Sequence, residues 1–140
     1  MGRPRGFDEE AVTRAAVALF ASRAYDGLSV DDLVTGLGVH RNSLYKTFGS
    51  KRGLYLTALR WYLRHEVAPL LDTAPDTEAL LREGPRLDLL LLAAAEQAPL
   101  DAEVGTLIAA VLRRLDEVLG PDAANRLLGL RLRARIHTGE

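Results

Sequence analysis

The chain has 140 residues, no cysteine, a formal net charge of −1, and 48% hydrophobic against 26% charged side chains. This is the composition of an ordinary globular protein of one domain, or of two small ones sharing a core. It excludes disulfide scaffolds and thiolate metal sites, and it fits a reducing cytoplasmic setting. The opening MGRPRGFDEE lacks the apolar segment of a signal peptide, and no apolar run approaches the roughly 18 residues of a membrane span. No membrane partner is expected. Charge is unevenly placed: residues 1–65 carry 10 Lys and Arg against 6 Asp and Glu, and residues 66–140 carry 8 against 13. A basic head on an acidic body is expected where only the head meets a nucleic acid.

In chain order the apolar spacing is helical throughout, with no run of period two, so the expected fold class is all-α. The first helix is expected over residues 8–22, with Val12, Ala15, Ala16, Leu19 and Phe20 on one stripe. Tyr25-Asp26-Gly27 reads as a turn. A second helix is expected over residues 30–36, with Val30, Leu33, Val34 and Leu37 inward. A third is expected over residues 41–47, with Leu44 and Phe48 as an inward pair four apart. That pairing leaves Arg41 and Tyr45 on one flank and Asn42 and Lys46 outward. A fourth helix starts at Ser50 and carries Leu54, Leu56, Leu59 and Leu63 toward Val67, with Pro69 expected to end or kink it.

Prolines 75, 85, 99 and 121 punctuate the second half. Helices are expected there over residues 76–82, 86–96, 102–119 and 122–136. Val104, Ile108, Val111, Leu115 and Val118 alternate by four and three, the spacing of a coiled-coil seam. Leu107, Leu112 and Leu119 widen the apolar surface beyond one seam, which suits docking on a second subunit. A fully buried helix of a monomer is the alternative.

The helix starts carry more information than the helices. Glu9 and Glu10 open the first helix, and Ser29-Val30-Asp31-Asp32 has the capping-box spacing. Both obey the rule that anions belong at the positive helix end. The next two starts break it. His40 is a poor cap and Arg41 follows it; Ser50 is a good cap, yet Lys51 and Arg52 stand behind it. Cations there cost about 0.3–1 kcal/mol each. Local rules broken in this way mark functional sites, and a phosphate against both helix ends is the expected compensation. The stretch SVDDLVTGLGVHRNSLYKTFGSK, residues 29–51, therefore reads as a helix-turn-helix around Gly38-Val39. Its second helix has the character of one that lies in a DNA major groove.

These residues carry a resemblance. Gly2-Arg3-Pro4-Arg5, Ala15-Ala16, Leu19-Phe20, Tyr25, Leu33, Gly38-Val39, Ser43-Leu44-Tyr45, Phe48 and Lys51 resemble the N-terminal domain of the TetR family of bacterial transcriptional regulators, over about residues 3–60. The resemblance implies a homodimer with a three-helix DNA-binding head, residues 1–50. A helical ligand-binding and dimerisation body, residues 51–140, would follow. It implies a palindromic double-stranded operator as partner and a repressor released by a small-molecule effector. By position, residues 40–47 would lie in the major groove, with His40, Arg41, Asn42, Ser43 and Lys46 facing DNA. The resemblance gives Tyr45 and Lys51 to backbone phosphates, Ser29 to a cap or phosphate contact, and Arg3 and Arg5 to phosphates or the minor groove. Trp61 and Tyr62 are candidates for an effector wall. Two positions depart from the pattern: Ala24 stands where glycine is common, and His40 where a Ser or Thr cap is usual. The body is also shorter than is usual in the family.

No phosphate-cradling Gly-rich loop, nucleophile elbow, metal-ligating histidine pair or pair of catalytic carboxylates appears, so neither an enzyme, a cofactor nor a metal site is expected. The alternative to a regulator is a helical dimerisation or adaptor protein without effector binding.

Overall fold

The computed structural model describes residues 8–73 and 76–136; Arg3 and Arg5 lie outside them. The described residues are helical and contain no strand, which is the expected all-α class. Two compact units divide the chain, Met1–Tyr62 and Leu63–Glu140.

The first unit holds α1 (Glu9–Ser22), α2 (Val30–Leu37), α3 (Arg41–Phe48) and α4 (Lys51–Tyr62), with a 3₁₀ turn at Tyr25–Gly27. Asp8 caps α1 by accepting from the Glu10 and Ala11 amides. The buried stripe of α1 is Val12, Thr13, Ala16, Val17 and Phe20, while Ala15 is exposed and Leu19 half-buried. The expected stripe is thus rotated toward Thr13 and Val17. Thr13 enters the core because its hydroxyl donates to the Glu9 carbonyl at 2.9 Å, leaving its methyl to pack. Against α1 lies α4, burying Leu54, Tyr55, Leu56, Ala58, Leu59 and Tyr62. α4 belongs to this first unit.

In the second unit a π-turn, Leu63–Val67, precedes α5 (Ala68–Thr73). Pro69 therefore does not end the helical path. The widened turn sets it in the first turn of α5, where a missing N–H costs least. Next come α6 (Thr77–Arg82), capped by Asp76, and a segment expected as one helix over residues 86–96. That segment uses three hydrogen-bond registers: a 3₁₀ turn Gly84–Leu87, α7 (Asp88–Leu92) and a π-turn Ala93–Gln97. The unit closes with α8 (Ala102–Leu119), capped by Asp101, and α9 (Pro121–Ala134). Along the seam of α8, Val104, Ile108 and Leu115 are buried, and Val111 and Val118 are half-buried. Arg131 and Arg135 of the second unit share one carboxylate, that of Asp88. Arg131 donates to Asp88 Oδ1 through Nε at 3.2 Å and its terminal nitrogen at 3.0 Å, and Arg135 reaches Asp88 Oδ2 at 2.9 Å.

Candidate nucleic-acid interface

The turn between α2 and α3 follows from its glycine. Gly38 adopts φ 68° and ψ 33°, the left-handed conformation in which a Cβ is disfavoured, and its N–H donates to the Val34 carbonyl. Val39 follows half-buried, and His40 returns to extended backbone, φ −74° and ψ 143°, so that α3 starts at Arg41. His40 makes no side-chain cap hydrogen bond. Ser29 does cap α2: its hydroxyl accepts from the Asp32 amide at 3.0 Å, and its own amide donates to Asp32 Oδ2 at 2.9 Å. The capping box expected from the sequence is complete.

Capping also shifts a titration. The Asp32 carboxyl is held below the ordinary value of 3.8 chiefly by the Ser29 amide and then by the Ser29 hydroxyl. The fields of Arg23 and Lys51 help, against some desolvation.

On α3, Leu44 is buried and Phe48 half-buried, facing the head's core. Arg41, Asn42, Tyr45 and Lys46 are exposed, and Ser43 is half-buried. At 3.6 residues per turn, 41, 42, 45 and 46 form a single outward strip about one and a half turns long. Tyr45 is one of the few large apolar side chains left exposed, at 37%. Lys46 is exposed and, among the described residues, enters no ion pair.

Arg41 and Lys51 do not stand as the charge argument expected. The Arg41 guanidinium is paired with Asp31 of α2. The Lys51 ammonium donates to the Tyr25 carbonyl at 2.6 Å and sits 4.0 Å from the centroid of the Tyr25 ring. The compensation for cations at these two helix starts is therefore internal, and a polyanion is not required to explain them. What the chain places outward is the strip on α3.

Sequence reasoning passed over Gly53. Its N–H donates to the Ser50 hydroxyl at 2.9 Å, which caps α4. A Cβ at Gly53 would lie 2.0 Å from the Phe48 carbonyl oxygen, inside any tolerable contact. Residue 53 thus lets the end of α3 and the first turn of α4 approach backbone to backbone. The signal available in the sequence was a glycine inside an otherwise helical apolar pattern, close behind the Ser50 cap, which asks for a packing reason.

Tyr62 is buried at 2% exposure, and Trp61 is half-buried with the Arg14 guanidinium 6.0 Å from its ring centroid. Within the second unit a cleft of about 200 Å³ is lined by Leu63, Val67, Ala68, Leu71, Ala110, Val111 and Arg114. Neither Trp61 nor Tyr62 lines it. Among the described residues no group of acidic, histidine or cysteine side chains could hold a metal ion, and no helix is long and apolar enough to cross a membrane.

The model of the "Bacterial regulatory proteins, tetR family" matches residues 12–58, the segment that builds this head. Beyond the head, the chain is similar to a cysteine-substituted TetR family transcriptional regulator, CifR, solved in complex with a 26-base-pair double-strand operator DNA. That likeness covers 96% of this chain and 90% of the other, with 30% identity and a TM-score of 0.70. The chain belongs to the TetR family. Two further relatives show higher identity over a shorter stretch. An uncharacterized HTH-type transcriptional regulator, YezE, of Bacillus subtilis is 40% identical over 72 residues, 51% of this chain and 37% of the relative. The HTH-type transcriptional repressor BdcR of Escherichia coli is 41% identical over 75 residues, 54% of this chain and 38% of the relative. These matches span well under half of the relatives' lengths.

Proposed function

We propose that this TetR-family chain is a cytoplasmic, sequence-specific DNA-binding transcriptional regulator, a repressor, that acts as a homodimer by binding rather than by catalysis. The observation that carries the reading is the outward strip of Arg41, Asn42, Tyr45 and Lys46 on the second helix of a helix-turn-helix. It is supported by likeness over nearly the whole chain to a regulator solved on operator DNA. In this reading α3 enters the major groove. Arg41, Asn42, Ser43 and Lys46 face base edges, and the Tyr45 hydroxyl meets a phosphate. His40, uncommitted as a cap, turns its imidazole toward the same groove. In the same reading Ser29 and Lys51 meet backbone phosphates at the flanks, and Arg3 and Arg5 are given to phosphates or the minor groove.

The dimer is assigned to α8 and α9, where Val111, Leu112 and Val118 are only half-buried and Leu132 is 59% exposed. Two-fold symmetry then requires inverted half-sites about 34–36 Å apart or a multiple of that. Recovery of bound fragments from genomic DNA tests this reading. An inverted repeat shared by the recovered fragments is expected; no enrichment at low salt would reject it in favour of an adaptor.

The cleft in the second unit favours an effector-responsive regulator over one without an effector. At about 200 Å³ it is smaller than the roughly 300 Å³ at which drug-sized sites begin, so the effector would be small and mostly apolar. A ligand lowers DNA affinity only by its preference for the non-binding state. Thermal stabilisation by small apolar compounds, with loss of DNA binding at the same concentrations, checks the proposal.

A further inference from the structure

We infer that Asp31 is a specificity-determining residue of the α3 surface, a carboxylate that holds the Arg41 guanidinium and makes sequence-blind phosphate contact unfavourable. The inference rests on the DNA-binding reading above. Arg41 is the first residue of α3, and Asp31 lies in the first turn of α2. Their ion pair spans the two helix starts, with the side chains 48% and 81% exposed.

Asp31 takes no part in the capping box, although as an anion in the first turn of α2 it suits the helix dipole. Its neighbour Asp32 completes the capping box with Ser29 and lies 3.8 Å from Arg23. Among the described residues, the only side-chain partner of Asp31 is Arg41. The carboxylate is therefore not needed as a cap, and it stands beside a strip read as approaching a polyanion. There it repels phosphates and weakens binding unless it discriminates between duplexes.

Discrimination follows from the donor count of arginine. A guanidinium carries five N–H donors in a rigid fork. A guanine edge takes two of them, leaving others for Asp31, so Arg41 can read a base while staying paired. The carboxylate then also fixes the orientation of the fork. A phosphate met at random requires Arg41 to swing away, which breaks the pair and leaves Asp31 uncompensated near a second anion. An exposed pair is worth roughly a two- to five-fold factor, and the exposed carboxylate adds repulsion that salt screens.

The test compares the full chain with Asp31→Asn, Arg41→Ala and the double variant, on a random-sequence duplex and on a fragment recovered from the genome, at one low salt concentration. Asp31→Asn is expected to tighten binding to the random duplex by about three- to ten-fold per dimer. It should tighten binding to the recovered fragment by less, so the ratio of the two affinities falls. In the Arg41→Ala background the same change should shift both duplexes equally. If Asp31→Asn shifts both equally with Arg41 present, Asp31 is only a general surface charge and the inference is overturned. A ratio that falls equally without Arg41 also overturns it. If the unaltered chain binds neither duplex, the DNA-binding reading itself fails, and the inference falls with it.

Discussion

Lys51, the first residue of α4, is clipped to Tyr25, whose carbonyl accepts from its ammonium at 2.6 Å and whose ring lies 4.0 Å below it. Tyr25 in turn packs edge-on to Tyr55 at 5.0 Å and stacks on Phe20 at 6.1 Å. The lysine therefore ties the start of α4 to the 3₁₀ turn and through it to the aromatic core of the head. A cation–π contact contributes about 0.5–1 kcal/mol, and a hydrogen bond about 0.5–1.5 kcal/mol. Lys51→Met should destabilise the protein by about 1–2 kcal/mol, read from the urea midpoint at constant slope. A lysine serving only a DNA phosphate would leave that midpoint where it was.

Gly53 and the Phe48 carbonyl make a second demand on the same junction. Because an added Cβ would meet backbone oxygen at 2.0 Å, no side-chain adjustment can relieve it. Gly53→Ala should destabilise the head by about 1–3 kcal/mol, the usual range for overpacking, despite alanine's better helix propensity. Should the variant be as stable as the parent or more so, the close approach of α3 to α4 described here is mistaken.

Acid should loosen the capping box. The Asp32 carboxyl has a lowered folded-state pKa, chiefly because the Ser29 amide donates to it. A group of this kind stabilises fully above its ordinary value of 3.8 and loses that contribution as pH falls through the depressed folded value. Stability of the parent should therefore decline below about pH 4 more steeply than that of Asp32→Asn. Parallel pH profiles of the two midpoints would rule out the titration. Ser29→Ala, which removes the hydroxyl acceptor of the box, should cost about 1 kcal/mol at neutral pH.

For the base contacts, Arg41→Ala should relax preference at one symmetric pair of operator positions by about 1–3 kcal/mol and leave other positions as they were. Binding to a library randomised at each position measures this. A uniform loss across all positions would move Arg41 from base reading to backbone contact.

Much of this fold was legible in the chain. The α2–turn–α3 segment announces itself through Ser29 with Asp32 at one end and Gly38 at the other, because caps and left-handed turns are local events. The extent of α8 is likewise marked by Asp101 before it and Gly120 after it. The π-turns at Leu63–Val67 and Ala93–Gln97 were not legible, because an apolar helical spacing does not reveal a one-residue change of hydrogen-bond register. At the candidate interface, the outward strip on α3 followed from helical periodicity. What became of Arg41 and Lys51 did not. Asp31 and Tyr25 lie 10 and 26 residues away from them in the chain, and only the tertiary fold brings these partners close. Helix-start charges read alone therefore suggested an external anion where the protein supplies its own partners.

The most direct measurement is the salt dependence of binding to a recovered genomic fragment, with a random duplex for comparison, made on the parent chain and on Lys46→Ala. If the α3 strip meets DNA, log affinity should fall linearly with log salt concentration, and the lysine variant, having lost a base-edge contact, should show a weaker preference for the recovered fragment over a random duplex. A flat response, or a preference for the recovered fragment untouched by loss of Lys46, would contradict an interface built on that helix.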